Sequence, residues 1–401
     1  MKNDIVKIIF KGACFAVIMI FLLGGCAISK DRTLSRLSRI GYPRFNDDMG
    51  YDGLEHSVLQ SIEYLQRVPI EKTFRFDKDE YTASHMIKSL EYFLDFVRTN
   101  PSAKNLKKFL KSNYLVYKSI GKGWRKEVLF TGYYEPFLQG SLQKTEEYRY
   151  PILARPDDLL TIDLSAFSPK YEGEKIVGRL TEHTVVPYFD RREIEQEGAL
   201  EGKTDVLAWV KDPVDLFFLQ IQGSGRIFLD SGQTLNVHYH DTNGKPYRSI
   251  GRLLIEQEKI PKSEMSMQKI RVYLQDNPEE VNEILNYNPS YVFFKTEADG
   301  PLGYLEVKLT PGRSIAVDRR IFPLPALAFI KTKKPIINGS GQITRWVDFS
   351  RFVISQDTGG AIRGPGRSDL FWGNGMYAEV AAGHMQHKGD LFFLVLKPET
   401  L

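Results

Sequence analysis

The stretch from Gln356 to Gly373 holds residue types that could carry out acid–base chemistry on a polar substrate. An apolar, strand-like run leads into Asp357, a glycine-rich loop follows, and Asp369 stands directly before one leucine and two aromatic residues. Glycines let a backbone pass close to a ligand. A carboxyl beside aromatic surface is desolvated, which raises its pKa toward the range that suits a general acid at near-neutral pH.

A third aspartate, Asp318, ends another strand-like run directly before two arginines. Aspartates also cap turns and pair with nearby arginines, here Arg319, Arg363 or Arg367. From these residues alone, the catalytic and the structural interpretations both stay open.

Two further polar segments could contact sugar hydroxyl groups. Gln220–Arg226 contains Gln222 and Ser224, but it could equally form a simple hairpin turn, and it lacks the context of a dinucleotide-binding glycine motif. Thr131 and Tyr133 offer a hydroxyl group and a stacking ring that suit a carbohydrate groove, although buried core tyrosines are equally common.

The histidines give a weaker signal. His238, His240 and Asp241 resemble metal ligands on a strand, and His384 and His387 could share a helix face. No third ligand is obvious for either set, and the chain has no metalloprotease, nucleophile-elbow or P-loop motif. We therefore predict no metal and no cofactor.

Helical spacing indicates three helices before Trp124, at 54–68, 84–97 and 101–120. Beyond Trp124 short β-rich segments prevail, and helical spacing returns at 247–258, at 266–274 and from Pro278. The predicted strands are Val128–Pro136, Ile176–Leu180, Leu216–Gln222, Arg226–Leu229, Tyr291–Lys295, Tyr304–Lys308, Ile315–Val317, Arg351–Ser355 and Leu391–Leu396.

The composition bounds the class of protein. A chain of 401 residues with 42% hydrophobic and 12% aromatic residues can bury an ordinary core and form two or three domains. Its formal net charge of +4 does not argue for a nucleic-acid partner. The cysteines are Cys14 and Cys26, and neither position favours a disulfide in the mature chain.

The N-terminus predicts export and lipidation. A basic start precedes an apolar run over 13–23, which is too short to span a bilayer but suits a secretory signal. The run ends in Leu23–Cys26, the pattern of a bacterial lipoprotein cleavage site, so residues 1–25 would be removed and Cys26 lipidated. The alternative is a plain signal peptide with an incidental cysteine. Ala27, in place of aspartate, favours the outer membrane, and residues 27–50 suggest a polar tether.

Taken together, these motifs resemble the membrane-bound lytic murein transglycosylase A (MltA) family, which carries a C-terminal 3D domain named for three aspartates. Asp318, Asp357 and Asp369 follow each other in the family's order. The other matching segments are Phe130–Pro136, Gln220–Gly225, Tyr247–Gly251, Met265–Ile270 and Asn288–Lys295.

The resemblance implies a mainly β fold with N-terminal helices. It consists of a double-psi β-barrel domain, an inserted smaller β-barrel domain and a groove between them. The expected divisions are 1–25 for the signal peptide, 26–50 for the tether, 51–135 for the first part of the large domain, 136–287 for the insert and 288–401 for the second part of the large domain.

The resemblance also implies cleavage of the β-1,4 bond between N-acetylmuramic acid and N-acetylglucosamine in peptidoglycan. The muramic C6 hydroxyl attacks its own C1 and leaves a 1,6-anhydro end, so a single carboxyl suffices, as acid and then as base. That carboxyl is Asp369, with Asp357 and Asp318 in support. The candidates for substrate binding in the groove are Thr131, Tyr133, Gln222 and Ser224.

The expected partners are peptidoglycan glycan strands and, through the lipid at Cys26, the outer membrane on its periplasmic side. Proteins of cell-wall synthesis or division are further candidates. Two other functions stay open. A water-using muramidase would need a second carboxylate, for which Glu135 or Asp318 could serve. A non-catalytic lipoprotein would bind peptidoglycan without cutting it.

Overall fold

Two β-bodies with separate cores make up most of the structure, a computed structural model that describes residues 32–171 and 173–400. The strands, numbered along the chain, are β1 (Leu34–Arg36), β2 (Thr73–Phe76), β3 (Asp79–Thr82), β4 (Tyr114–Ser119), β5 (Val128–Glu135), β6 (Phe137–Ser141), β7 (Tyr150–Leu153), β8 (Leu160–Asp163), β9 (Lys175–Thr181), β10 (Thr184–Pro187), β11 (Val206–Val210), β12 (Ser224–Leu229), β13 (Thr234–Thr242), β14 (Val292–Glu297), β15 (Ser314–Ala316), β16 (Leu327–Ile337), β17 (Ile343–Asp357), β18 (Arg367–Asn374) and β19 (Gln386–Leu396).

The larger body, here called the large barrel, is a closed ring of six strands. Their order is β19-β16-β17-β15-β18-β5, and β5 pairs back onto β19. The pairs β15–β17 and β18–β5 are parallel, whereas the other neighbours are antiparallel. Outside the ring, β4 pairs with β19 and β1 pairs with β4. Closure leaves these six strands without a free edge and fixes their register around the ring.

The smaller body, the small barrel, is a six-stranded sheet of order β14-β13-β12-β6-β11-β7. A bridge between Ala154 and Phe294 joins the two ends of this sheet. Strands β8, β9 and β10 form a separate three-stranded sheet, and β2 and β3 form a hairpin. The predicted fold, mainly β with a large barrel and a smaller inserted one, is confirmed.

Most helices pack on the core of the large barrel, whereas Ile194 of the helix Arg191–Glu195 packs in a separate core cluster. Thr82 caps one of them by accepting a hydrogen bond from the backbone N–H of His85, which satisfies an amide that a helix start leaves free. The helices are Leu54–Arg67, Ala83–Arg98, Ala103–Asn113, Arg191–Glu195, Pro213–Gln222, Ile250–Glu256, Met267–Asp276, Val281–Asn286 and Gly375–His384.

Several segments differ from their predicted secondary structure. The helix predicted over 101–120 ends at Asn113, and Tyr114–Ser119 forms β4 because its nearly continuous buried run suits a central strand. The strand predicted over Leu216–Gln222 is wrong. Asp212 caps a helix there and Pro213 occupies its first turn.

The helix Pro213–Gln222 has apolar residues on more than one face because it lies between the two cores. Phe217 packs in the core of the large barrel, whereas Leu216 and Leu219 pack in that of the small barrel. A helix buried on several sides loses the one-sided pattern that identifies helices in a sequence.

The boundary predicted at 287/288 also needs correction. The strand β14, which follows it, pairs with β13 of the small barrel, whereas Ile250, Leu254 and Ile270 from the helices before it pack in the core of the large barrel. No strand forms over 304–308; the segment 302–308 is a turn closed by a bridge between Leu302 and Lys308.

The prediction of a polar tether over 26–50 is wrong for residues 33–50. Leu34 is fully buried in β1, which pairs with β4. Asp47 forms a two-pronged ion pair with Arg313 at 2.6 and 2.8 Å, and the two side chains are 1% and 0% exposed. The polar residues of this segment thus serve as buried partners for arginines of the barrel.

Residues 1–31 lie outside the described part of the chain, and with them the predicted signal peptide and Cys26. Within residues 32–171 and 173–400, no helix is both long enough and apolar enough to cross a membrane.

The ion pair of Asp47 gives a test of this packing. Replacing Asp47 with Asn should lower the free energy of unfolding by about 3 kcal/mol, because it leaves the buried Arg313 guanidinium without its counter-charge. Urea denaturation at pH 7 measures the change. The matched control is Glu147→Gln, which removes an exposed ion pair with Lys211 and should leave the free energy of unfolding nearly unchanged. Equal, small losses in both variants would contradict a buried role for residues 33–50.

Candidate active site

Four neighbouring strands of the large barrel place the candidate residues in one row. Ala316 of β15 stands opposite Asp357 on β17 and opposite Asp369 on β18. Asp369 in turn stands opposite Thr131 on β5. Because neighbouring strands lie about 4.8 Å apart, the row brings the backbones of the two aspartates to within about 10 Å of each other.

Asp369 receives its hydrogen bonds on one oxygen. The Thr131 hydroxyl donates to Oδ1, and Arg367 Nε donates to the same atom at 3.0 Å. The Arg367 guanidinium also donates to Thr131 Oγ1 at 2.9 Å, which closes a three-residue cluster. The side chain of Asp369 is 17% exposed, and among the described residues none donates to its Oδ2. That oxygen is therefore free to contact a ligand.

Asp357, unlike Asp369, accepts hydrogen bonds on both of its carboxylate oxygens. The Tyr133 hydroxyl donates to its Oδ2 at 2.8 Å, and the backbone N–H groups of Tyr304 and Thr358 donate to Oδ1. Burial raises the pKa of Asp357, and the nearby charge of Asp369 adds to the rise, although the three hydrogen bonds oppose it. Burial likewise holds the pKa of Tyr133 well above its ordinary value, so its hydroxyl acts as a donor.

Asp318 lies just beyond β15 and has a side chain only 1% exposed. Arg320 donates to both of its oxygens, at 2.8 and 2.7 Å, and the backbone N–H of Gly364 donates to Oδ2 at 2.8 Å. Burial alone would raise its pKa, but these hydrogen bonds outweigh burial and lower the pKa to about 2. Asp318 thus ties the glycine loop to β15 as a fixed carboxylate.

Gln222 and Ser224, the two candidates from the Gln220–Arg226 segment, have different surroundings. Gln222 ends a helix and accepts a hydrogen bond from the backbone N–H of Tyr134 at 3.0 Å, so it braces β5 next to Tyr133. Ser224 is buried in β12 opposite His238. Within the described chain, no hydrogen bond links Ser224 to any of the three aspartates.

Two arginines bind carboxylates of the site, although from the sequence arginines were expected only as structural partners of the aspartates. Arg367 pairs with the aspartate two positions ahead of it. Asp318 pairs with Arg320. In the described residues, the alternatives Arg319 and Arg363 form no ion pair with Asp318. Both pairs are two positions apart in sequence. Arg367 and Asp369 share a face of the extended strand β18, whereas Asp318 and Arg320 meet in the turn that follows β15. The spacing was a usable signal only for the pair within the strand.

Glu135 joins the two barrels beside the site. It ends β5, is 2% exposed, and accepts hydrogen bonds from Arg226 of β12 and from Asn374 at the end of β18. Burial raises its pKa, while the contacts with Asn374 and Arg226 oppose the rise. Among the described residues, no group of three or more histidine, cysteine or acidic side chains could hold a metal ion.

With this geometry in place, two family models match the chain. The MltA specific insert domain matches residues 129–295, and the 3D domain matches residues 313–395. Membrane-bound lytic murein transglycosylase A of Escherichia coli K12 is 35% identical over 274 residues, which cover 68% of this chain and 66% of that protein. The chain belongs to the MltA family. The matched insert model runs from within β5 to within β14.

Solved structures of MltA-family proteins share the fold. The membrane-bound lytic murein transglycosylase of Agrobacterium tumefaciens superposes with a TM-score of 0.73 at 29% identity, covering 91% of this chain and 98% of that one. Escherichia coli MltA with bound chitohexaose superposes with a TM-score of 0.70 at 25% identity, covering 93% of this chain and 98% of that one.

The pKa of Asp318 predicts a specific pH dependence of stability. Because its folded pKa is lowered from 3.8 to about 2, its stabilising contribution is present above about pH 4 and is lost as the pH falls through about 2. Asp318→Asn should therefore be less stable than the wild type at pH 6, and the difference should shrink between pH 4 and pH 2. Chemical denaturation at several pH values measures it. A difference that stays constant down to pH 2 would contradict the bidentate pair with Arg320, and Asp348→Asn, at an exposed aspartate, is the control.

Proposed function

We propose that this member of the MltA family cleaves the β-1,4 bond between N-acetylmuramic acid and N-acetylglucosamine in peptidoglycan and leaves 1,6-anhydro ends. The observation that carries the proposal is the single free carboxylate oxygen of the row, Oδ2 of Asp369. Asp357 and Asp318 accept hydrogen bonds on both oxygens, and Glu135 is only 2% exposed. A reaction that uses one carboxyl twice needs no second free carboxylate.

In the first step, Asp369 would donate a proton from Oδ2 to the glycosidic oxygen as that bond breaks. The resulting carboxylate is stabilised at Oδ1 by the Thr131 hydroxyl and the Arg367 guanidinium. In the second step, Oδ2 takes the proton of the muramic C6 hydroxyl while that oxygen bonds to C1. The hydroxyl belongs to the same sugar, so its effective concentration at C1 is high without a bound water.

Asp357 and Asp318 would support the reaction without transferring a proton. Asp357 holds Tyr133 and the backbone of Tyr304 in place at the rim of the row. Its nearby negative charge also suits the positive charge that develops on a sugar ring during cleavage. Tyr133, Gln222 and the half-exposed ring of Tyr304 are proposed contacts for the glycan, in keeping with the chitohexaose bound to the Escherichia coli protein. Ser224 stays a candidate through its place in β12.

Hydrolysis by a muramidase is the alternative that product analysis separates. It would need a second carboxylate able to activate water. Asp318 is bound by Arg320 and Gly364, and Glu135 is bound by Arg226 and Asn374. Both donors to Glu135 bind its Oε2, and burial closes the rest of the side chain, which is 2% exposed, while Asp318 is 1% exposed. This burial keeps water from both carboxylates and favours the intramolecular reaction.

The decisive variant is Asp369→Asn. It should reduce release of anhydro-muropeptides from purified sacculi by about a thousandfold or more, because the amide can neither donate nor accept the catalytic proton. Binding to sacculi should persist. Mass spectrometry of the soluble products measures both quantity and type, since reducing ends would indicate hydrolysis.

Asp348→Asn, at an exposed aspartate on β17, is the matched control and should keep full activity. Full activity in Asp369→Asn would exclude the assignment. Activity that survives in Asp369→Asn but disappears in Asp357→Asn would exchange the roles of the two aspartates.

We also propose that Cys26 carries a lipid that anchors the protein in the outer membrane, facing the periplasm. The support is the cleavage pattern at Leu23–Cys26 and the membrane-bound names of the relatives. In the sequence, Cys26 lies eight residues before Leu34, where β1 begins.

The anchor is tested with Cys26→Ser. The variant should lose incorporation of labelled fatty acid, because the thiol that accepts the lipid is gone, and should leave the outer-membrane fraction. Fractionation of cells and fatty-acid labelling check this. Unchanged labelling and location in the variant would contradict the proposal.

A further inference from the structure

An exposed turn beside the site carries side chains that neither the fold nor the acid–base chemistry uses. Residues 122–126, here called the tryptophan turn, connect β4 to β5. The Lys126 N–H donates to the Gly123 carbonyl at 3.1 Å, and the Lys122 N–H donates to the Glu127 carbonyl at 2.9 Å. Gly123 has a φ of 70°, which favours glycine and lets the chain reverse tightly. The turn is therefore a defined hairpin tip.

The tip presents one large aromatic ring and three cations. Trp124 is 86% exposed, and the Arg125 guanidinium lies 4.8 Å from the centroid of its ring. Lys122, Arg125 and Lys126 are all exposed, and within the described residues none of them has a carboxylate within 4 Å. The neighbouring Glu127 pairs with Lys388 at 3.5 Å. An exposed tryptophan surrounded by unpaired positive charge is typical of a recognition surface.

The turn borders the loop that joins Asp357 to Asp369. The Leu129 N–H, just after the turn, donates to the Gly366 carbonyl at 2.9 Å. The Lys122 side chain packs so closely on Gly366 that an added Cβ there would lie 2.5 Å from Lys122 Cγ. From the start of β5, Thr131 is three residues or about 10 Å farther along the strand. A polymer that enters the site can therefore reach the turn.

We propose that the tryptophan turn binds peptidoglycan outside the point of cleavage. Lys122, Arg125 and Lys126 bind free carboxylates of stem peptides, and Trp124 packs on the face of a sugar ring. This rests on the proposed function, because it assigns a second contact to the same substrate. A polymer that alternates sugars with acidic peptides offers both chemistries at once, which matches the mixed character of the tip.

An anionic bilayer would satisfy the same charges, but the position of the turn disfavours it. A membrane in contact with Trp124 would cover the Gly364–Gly366 loop, whose backbone is hydrogen-bonded to Asp318 and to β5. The membrane would then obstruct access of a polymeric substrate from that side of the site. The bilayer therefore enters as a competing outcome of the test.

The test compares binding of the full chain to two forms of purified sacculi, intact and with their free carboxylates coupled to ethanolamine by a carbodiimide, which leaves neutral amides. Pelleting at low temperature gives the affinity. A charge variant, Lys122→Gln with Arg125→Gln and Lys126→Gln, should bind intact sacculi about tenfold more weakly, with little change on the neutralised sacculi. Trp124→Ala should lose affinity for both forms. The charge effect should shrink at high salt.

The matched control replaces three exposed lysines of the helix Ala103–Asn113, namely Lys104→Gln, Lys107→Gln and Lys108→Gln. It removes the same charge elsewhere and should bind like the wild type. Thermal unfolding of every variant should match the wild type, because the altered side chains are exposed.

Three results would overturn the inference. In the first, both turn variants bind sacculi as tightly as the wild type does. In the second, the lysine control loses as much affinity for sacculi as the charge variant, which would make the effect one of net charge. In the third, the turn variants lose binding to phosphatidylglycerol vesicles but keep their binding to sacculi, which would identify a membrane contact. A wild-type chain that releases anhydro-muropeptides while the turn variants bind normally would leave the proposed function standing and refute only this step.

Discussion

The register of β15 is the constraint on which the candidate site depends. This three-residue strand pairs parallel with β17 and antiparallel with β18, and its Ala316 is thereby opposite both Asp357 and Asp369. Closure of the ring through β5 and β19 prevents any of these strands from slipping, because a shift of one residue would turn every side chain to the other face. The chemistry of Asp369 is thus a consequence of barrel closure.

The segment before the first helix reinforces the same strands. Asp47 pairs with Arg313, directly before β15, and Asp48 pairs with Arg351 within β17. A buried ion pair adds little net stability, but it fixes the positions of both side chains, because a buried charge that loses its partner is costly. On the far side, Glu135 binds Arg226 and Asn374, which fixes how the small barrel leaves the end of β5. The site is held from both ends.

Much of the fold followed from local patterns. The helices near 54–67 and 83–98 show one-sided apolar spacing, and the strands that contain Ile315, Val353 and Phe393 are apolar runs that the structure places in the core. Two of the failures share one cause. The strand Tyr114–Ser119 and the segment 33–50 owe their state to partners distant in sequence, which no window of neighbouring residues contains. The helix Pro213–Gln222 does have local start signals in Asp212 and Pro213, but burial against two cores removes the one-sided apolar pattern.

The sequence by itself determined the inventory: three aspartates in order, a glycine loop between two of them, a lipidation pattern and the apolar runs for two β-bodies. Only the tertiary structure decided their roles. It paired Asp318 with Arg320, placed the Tyr133 hydroxyl as a hydrogen-bond donor to Asp357, and left one oxygen of Asp369 without a protein donor. The physical reason is that a carboxylate's role depends on its donors and its burial, and these come from strands that meet only when the barrel closes.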